Sequence, residues 1–185
     1  MEQNFSSTPK EQNLSCAHTE YTFRRATSAD TDRIMEIIEQ AKRQMWREGK
    51  DQWTAAYPAR GNIDADIQQG AAHVMLHAGH IVAYGAVVLT GEPVYEEIRG
   101  QWLTNQPYVV LHRLAVADEA KGHGVGAWFM HGVERVAAAA GVHSFRVDTN
   151  HDNSRMLRLL DKEGFTFCGN VYYQQGERMA YEKLL

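Results

Sequence analysis

The stretch that decides the fold is HRLAVADEAKGHGVGA, residues 112–127. Its apolar beginning predicts a strand, and the alternating glycines at 122, 124 and 126 then open a helix. Glycine permits close backbone approach and positive φ, so successive N–H groups in such a turn can converge on one anion. The helix behind it adds unsatisfied N–H groups and the positive end of its dipole. The stretch therefore predicts a phosphate or pyrophosphate site, and the simpler alternative is a glycine turn that only links strand to helix.

Two familiar phosphate-binding motifs do not fit this turn. A P-loop ends in Gly-Lys-Ser/Thr, whereas Gly126 is followed here by Ala127 and Trp128. A dinucleotide-binding fingerprint belongs at the first strand of a βαβ unit, with an acidic residue on the next strand. This turn comes late in the chain, after a part with the pattern of antiparallel strands. Both classes are therefore set aside.

Helical and strand periods alternate on both sides of the glycine turn. An alternating strand at 21–24 precedes a helix whose apolar residues Ile34, Ile37 and Ile38 lie on one face. The other predicted elements are a short helix capped by Asn62 and ended by Gly70, a hairpin over 73–89, a loop over 90–107, strands over 108–116 and 145–149, helices over 125–140 and 153–163, and closing strands over 167–174 and 179–183. The alternation lacks strict βαβ regularity. It predicts an α/β fold with a mixed, mostly antiparallel central sheet flanked by helices.

The composition indicates one folded domain. At 185 residues, with 44% hydrophobic residues, the chain can bury a sizeable core. A formal net charge of -4 argues against a nucleic-acid partner, because phosphate neutralisation needs a basic surface. No apolar run approaches the roughly 20 residues that cross a bilayer, so no membrane partner is expected, and two cysteines make no disulfide framework. We expect a flexible tail over 1–19 without a signal peptide, one domain over 20–185, and a cytoplasmic location.

Two motifs together resemble those of the GNAT family of N-acetyltransferases. The first is KGHGVG, residues 121–126, after a strand that ends in an apolar pair and valine. Lys121 stands where that family usually has arginine or glutamine. The second is a strand over 145–149, then Asn153 at a helix start, then Gly164 and Phe165. The order of elements over residues 21–185 also fits, so the resemblance covers nearly the whole predicted domain.

The resemblance implies direct transfer of an acetyl group from acetyl-CoA, the acyl-donor cosubstrate, to an amine of a small molecule or peptide. In that family the turn's N–H groups hold the pyrophosphate and the preceding strand pairs with the pantetheine arm. The Leu114 N–H would polarise the thioester carbonyl, and Asn153 would reach the pantetheine. The donor-binding residues implied are Leu114, Ala115, Val116, Lys121, Gly122, His123, Gly124, Val125, Gly126, Ala127 and Asn153. Homodimers are common among such folds, and nothing in the sequence decides whether this chain forms one.

His112 is the candidate general base. It stands four residues before Val116, at the position of a histidine assigned as a base in arylalkylamine N-acetyltransferases, and histidine titrates near neutral pH. The alternative is a structural histidine on a half-buried strand. Val110 stands where the histone-acetylating branch has its glutamate. Leu160 stands where the family usually has a tyrosine acid, so another group or water replaces it, or catalysis is slow, or the chain is a non-catalytic acyl-CoA-binding or sensor module.

Asp148 is the second candidate catalytic residue. A carboxylate inside a central strand is costly to bury without a partner. It could bind a cationic acceptor or assist the base. The alternative is a structural ion pair with Arg146 or Arg113.

Aromatic residues are the candidates for the acceptor side. Trp46, Trp53 and Tyr57 lie in the first helix or in the aromatic segment after it, and Trp102 lies in the 90–107 loop. Aromatic walls bind cationic amines through cation–π contacts, and the alternative is that these rings fill the core. No metal site is expected, because His73 and His77 would lie about 13 Å apart on one face of a strand, and no Cys-x-x-Cys or His-Glu-x-x-His motif accompanies them.

Overall fold

A single nine-stranded sheet is formed by the residues that the computed structural model describes, which are 12–16 and 19–185, with side chains from Tyr21 onward. The elements are β1 (Gln12–Cys16), β2 (Thr19–Arg25), α1 (Thr31–Arg47), α2 (Arg60–Gln68), β3 (Ala72–His77), β4 (His80–Val88), β5 (Arg99–Gly100), β6 (Val109–Val116), α3 (Val125–Ala139), β7 (Ser144–Thr149), α4 (Ser154–Lys162), β8 (Thr166–Tyr173) and β9 (Gly176–Leu184). The strand order is β1-β2-β3-β4-β6-β7-β9-β8-β5, and β6–β7 is the parallel pair among antiparallel neighbours. The predicted mixed, mostly antiparallel sheet with flanking helices is confirmed.

Three details differ from the sequence-based expectations. Residues 12–16, inside the expected tail, pair with β2 as an edge strand, while residues 1–11 and 17–18 lie outside the described residues. Asn62 is the third residue of α2 rather than its cap, and its Oδ1 accepts a hydrogen bond from the Ala59 N–H at 2.9 Å. The 90–107 loop contains a short 3-10 turn over Pro93–Glu97 and the two-residue strand β5.

Helices cover both faces of the sheet. Tyr84 in β4 reaches Asp66 in α2, whereas a Cβ on the next residue, Gly85, would meet the Phe129 ring of α3 at 2.8 Å. Successive strand residues point to opposite faces, so α2 and α3 lie on opposite sides. The helix α1 packs beside α2 and buries its isoleucine stripe completely, at Ile34, Ile37 and Ile38. The core therefore has two layers, one on each face of the sheet.

The parallel strands β6 and β7 diverge soon after they pair. Their register holds Val109 beside Phe145 and Val110 beside Arg146, and β6 then runs on to Val116 without further pairing to β7. On its other edge β6 pairs with β4. Tyr84 faces Ala115 and Ala86 faces His112, so the register shifts by one residue between these two pairs. A bulge of this kind bends a strand away from its neighbour. It leaves an opening between β6 and β7 in the middle of the sheet.

Candidate active site

A cleft of about 600 Å³ occupies the opening beside β6. Its walls come from the end of β6, the loop and first turn of α3, the last turns of α1, and α4. Of the predicted donor-binding residues, the cleft is lined by Leu114, Ala115, Val116, Lys121, Gly122, Gly124, Val125, Gly126, Ala127 and Asn153. His123 is exposed and instead lines a separate cavity of about 1160 Å³ between the β3–β4 hairpin and α3.

The glycine turn has the backbone conformation that its sequence predicts. Gly122 and Gly124 have φ of +81° and +75°, which disfavour any residue with a Cβ. Gly126 has ordinary φ, but a Cβ there would lie 3.0 Å from Cδ2 of Leu159, so the close approach of α4 favours glycine. The first bond inside α3 runs from the Trp128 N–H to the Gly124 carbonyl, at 3.2 Å. The N–H groups that precede it are therefore available to an anion at the helix start.

Cations outnumber anions along the cleft. Among the described lining residues are five cations, Lys50, Lys121, Arg155, Arg158 and Lys162, and one carboxylate, Glu48. Hydrogen bonds from Lys50, Gln44 and Arg155 lower the pKa of that carboxyl to about 2. Lys121 bonds to Gln44 and Asp118, which ties the glycine turn to α1. The surplus of positive charge, together with the helix start, fits a ligand with several phosphate groups.

The edge of β6 that faces the cleft has free hydrogen-bonding groups. The Ala117 N–H donates to the Val82 carbonyl of β4 at 2.8 Å. Because strand N–H groups alternate in direction, Ala115 also turns its N–H toward β4, and Leu114 and Val116 turn theirs toward the diverging β7. An extended amide-containing chain can pair with this edge as an added strand would.

Asn153 closes the cleft at the start of α4. Its Oδ1 accepts the Met156 N–H at 3.3 Å as a helix cap, and its Nδ2 donates to Gln52 at 3.3 Å. Gln52 also accepts the Asn150 N–H at 3.4 Å. The segment after α1 is thereby held against the end of β7.

His112 lies on β6 beside the opening and pairs with a glutamate that the sequence did not indicate. Its Nε2 is 2.9 Å from Oε2 of Glu92, and both side chains are mostly buried. The hydrogen bond from His112 lowers the pKa of Glu92 against the opposing effect of burial. Tyr108 holds Glu92 in turn, because its hydroxyl accepts the Glu92 N–H at 3.1 Å. An imidazole that donates through Nε2 keeps Nδ1 free to accept a proton.

Asp148 lies on β7, two positions beyond the last β6–β7 pair, and is held by two tyrosines. The hydroxyls of Tyr95 and Tyr173 both donate to its Oδ2, at 2.8 and 2.9 Å. Burial and the adjacent carboxylate raise the pKa of both tyrosines above the ordinary value, so both remain neutral donors. The Tyr95 N–H also donates to the Glu92 carbonyl at 2.9 Å, so the Asp148 cluster lies close to the His112–Glu92 pair.

The alternative ion-pair partners of Asp148 are engaged elsewhere. Arg146 pairs with the fully buried Glu182 at 3.3 Å and lies over the rings of Trp102 and Tyr108. Arg113 pairs with Asp66 at 2.5 Å. Asp148 is therefore a carboxylate oriented by tyrosines rather than by an arginine.

The structure does not gather the predicted acceptor-side aromatics into one wall. Trp46 is 80% exposed on α1, and Trp53 is only 8% exposed and belongs to the core. Tyr57 contacts Arg113, with 3.1 Å between the hydroxyl and Nη1. Trp102 packs on Tyr95 and donates its indole N–H to the Tyr95 carbonyl at 2.9 Å, so it supports the Asp148 cluster from behind. Packing within the domain uses the rings of Trp53 and Trp102, which is the alternative considered from the sequence, and an acceptor-side role for the four aromatics stays a prediction.

Three further observations bear on the classes considered from the sequence. Within residues 21–185, no group of three histidine, cysteine or carboxylate side chains is arranged to hold a metal ion. No helix among the described residues is long and apolar enough to cross a membrane. Leu160, at the position of the tyrosine acid, is completely buried in the core.

Comparison with known proteins gives consistent matches. Residues 33–165 match the model of the acetyltransferase (GNAT) family. A GNAT-family acetyltransferase structure from Streptococcus agalactiae is 34% identical, with a TM-score of 0.82 over 89% of this chain and 95% of that chain. One from Listeria monocytogenes is 20% identical, with a TM-score of 0.75 over 94% of this chain and 100% of that chain. A ribosomal-protein-alanine N-acetyltransferase from Brucella melitensis is 20% identical, with a TM-score of 0.64 over 88% of this chain and 99% of that chain. No curated protein sequence matches significantly.

Proposed function

The chain belongs to the acetyltransferase (GNAT) family, and from this premise we propose that it transfers an acetyl group from acetyl-CoA to a primary amine of a small molecule or peptide. One observation carries the proposal. The cation-lined cleft with its glycine turn runs along the free edge of β6, and the same strand presents His112 with Glu92. A phosphate-bearing donor and a proton acceptor therefore meet at one strand.

The donor side fits CoA through groups of this chain. The N–H groups at the start of α3 and the surrounding lysines and arginines suit the pyrophosphate and the further phosphate. The free N–H groups of Leu114 and Val116 suit the amides of pantetheine and the thioester carbonyl. Acetyl-CoA, when bound, supplies the activated acyl group. The side chain of Lys121 is occupied by Gln44 and Asp118, so the turn's contribution comes from its backbone.

His112 is the proposed base that removes a proton from the incoming ammonium. Glu92 fixes the imidazole through Nε2 and stabilises the charge that develops when Nδ1 accepts the proton. The pair thus assigns opposite tasks to the two ring nitrogens. Glu92 is a positioning residue here, because it acts through His112.

Asp148 is the proposed receptor for the acceptor's ammonium group. Both tyrosine hydroxyls bond to Oδ2, which leaves the coordination of Oδ1 to a ligand. A carboxylate close to Glu92 makes this side of the opening favourable to cations. The amine would bind at Oδ1 and lose its proton at His112.

A second candidate, a non-catalytic acyl-CoA-binding or sensor module, is favoured by the burial of Leu160. A buried leucine offers no proton to a leaving thiolate. For catalysis, that proton would come from water in the open cleft. Turnover separates the two candidates, since a sensor would bind acetyl-CoA and release no CoA beyond its spontaneous hydrolysis.

The experiment is an acceptor screen with acetyl-CoA, following CoA release and the mass of the product. The panel contains small primary amines, lysine-containing peptides and peptides with free N-termini. Transfer to any of these amines by wild-type protein, with loss in His112→Ala, supports the proposal. Binding of acetyl-CoA without transfer to any acceptor favours the sensor. Transfer to peptide N-termini alone would define a peptide acetyltransferase.

A further inference from the structure

Arg113 has a left-handed backbone conformation at the bulge of β6. Its φ is +56°, and among the described non-glycine residues only Ala78, in the β3–β4 turn, shares that sign. A long side chain is strained in this region, which glycine adopts freely. The residue lies directly between His112 and Leu114, where the register of β6 against β4 shifts. Something in the surroundings must hold it there.

The side chain of Arg113 is held at three points. Its Nε and Nη2 bond to the two oxygens of Asp66, at 3.0 and 2.5 Å, and its Nη1 bonds to the Tyr57 hydroxyl at 3.1 Å. Asp66 lies on α2, is 5% exposed, and also accepts the hydroxyl of Tyr84. A bidentate arginine–carboxylate pair fixes direction as well as distance. The bulge is therefore anchored to α2, to β4 and to the segment after α1.

The anchored conformation sets the direction of both neighbours. One extra residue in β6 decides which face His112 presents and which way the Leu114 N–H points. These two groups are the proposed base and the proposed donor to the thioester carbonyl. The free edge of β6 also begins beyond the bulge.

We propose that Asp66 and Arg113 are positioning residues for acetyl transfer, because their buried ion pair holds the left-handed bulge that aims His112 and the Leu114 N–H into the opening between β6 and β7. The catalytic part of this inference rests on the proposed function. Its geometric part concerns the free protein alone.

The decisive comparison is Arg113→Gly against Arg113→Ala. Both variants remove the same ion pair, yet glycine adopts positive φ without strain and alanine does not. If the left-handed bulge is what matters, Arg113→Ala should lose up to about 100-fold in kcat through misplacement of reacting groups. Arg113→Gly should remain within about fivefold of wild type, the factor that glycine's added flexibility implies. The affinity for acetyl-CoA, measured by calorimetry, should fall in Arg113→Ala by a smaller factor than kcat does, because the glycine turn is untouched and the Leu114 N–H is only one of the donor's contacts.

Asp66→Asn tests the anchor itself in the protein without ligand. The amide resonances of His112 and Leu114 should shift in two-dimensional NMR spectra, and kcat should fall. The matched control is Asp30→Asn, which breaks a bidentate Arg24–Asp30 pair of similar burial at the start of α1, away from the cleft. That variant should lose stability while kcat and both resonances stay as in wild type.

Equal kcat values for Arg113→Gly and Arg113→Ala would overturn the proposal, as would unshifted His112 and Leu114 resonances in Asp66→Asn. A wild-type protein that neither binds nor consumes acetyl-CoA would instead overturn the proposed function and the catalytic part of this inference. The spectra of the free protein would still decide the geometric part. The two failures are thereby distinguishable.

Discussion

Nε2 of His112 lies 2.9 Å from Oε2 of Glu92, across 20 residues of chain. The histidine belongs to a regular strand, and the glutamate precedes a short 3-10 turn in an irregular segment. A charged partner on one ring nitrogen assigns the other to proton exchange. We propose that this pairing makes His112 a base rather than a structural histidine, and the first prediction tests that distinction.

His112→Ala should lower kcat by about 10²- to 10⁴-fold, the usual contribution of general acid–base catalysis. Glu92→Gln should lower it by about 10- to 100-fold, because a neutral amide no longer supports the charge on the ring. Steady-state kinetics at saturating acetyl-CoA measure both. Glu96→Gln, an exposed glutamate in the adjacent turn, is the control and should stay within about twofold of wild type. Equal kcat in wild type and His112→Ala would leave the histidine a structural role.

Asp148→Asn should raise KM for the amine by about 10- to 100-fold, because an ammonium loses a charged hydrogen-bond partner. The effect on KM for acetyl-CoA should be small. Tyr173→Phe keeps the carboxylate and removes one of its two donors, so its effect on the amine KM should be the smaller. An amine KM that is unchanged in Asp148→Asn would remove Asp148 from the acceptor site.

Gly124→Ala should weaken acetyl-CoA binding. Its φ of +75° strains alanine by about 1 kcal/mol, and relief of that strain turns the first N–H groups of α3 away from the phosphates. Gly141→Ala is the matched control, because Gly141 has a φ of +68° and open space around it but lies beyond the far end of α3. Calorimetry should show weaker binding in the first variant and wild-type binding in the second. Equal losses would indicate a general effect of strain on stability.

His73 makes stability depend on pH. Burial lowers its pKa to about 4, with a hydrogen bond to the Ala71 carbonyl opposing the shift. The unfolded chain takes up a proton on this histidine near pH 6.5, and the folded chain does not. The free energy of unfolding is therefore unaffected by His73 above pH 6.5 and decreases as the pH drops from 6.5 toward 4. Protonation of His73 in the unfolded chain should lower the free energy of unfolding by about 2 kcal/mol between pH 7 and pH 5.

Urea unfolding of wild type and His73→Phe at the two pH values measures that contribution. The replacement ring keeps the stacking on Phe23, where the ring centroids are 5.1 Å apart. The variant should lose less stability than wild type between pH 7 and pH 5. An identical loss in both proteins would show that His73 is not the group responsible.

Local signals were sufficient for much of the fold and for most residues that line the cleft beside β6. The alternating glycines predict a turn with positive φ, which Gly122 and Gly124 adopt. The isoleucine period of α1 predicts a buried face, and these isoleucines are buried. The sequence predicts Asn62 as a cap, but asparagine also fits the third helical position, where its side chain accepts the N–H of the capping residue Ala59. The polar edge strand β1 has no apolar alternation from which it could be predicted.

The surroundings of His112 and Asp148 depend on contacts that no local pattern contains. Tyr95 and Asp148 are 53 residues apart, and Arg113 and Asp66 are 47 apart. The segment that provides Glu92 and Tyr95 lacks a period, so its side-chain directions follow only from its packing on β6 and β7. The bulge at Arg113 was equally hidden, because an arginine at positive φ gives no sign of it in the sequence.

Every proposed step depends on the binding of acetyl-CoA in the cleft beside β6, and calorimetric titration of the full chain tests that binding most directly. Acetyl-CoA should bind at one site, and ATP and NAD, run as controls under the same conditions, should bind far more weakly because neither has a pantetheine arm to pair with β6. Absence of acetyl-CoA binding, or equal binding of all three, would contradict the claim and leave the glycine turn as a connection between strand and helix.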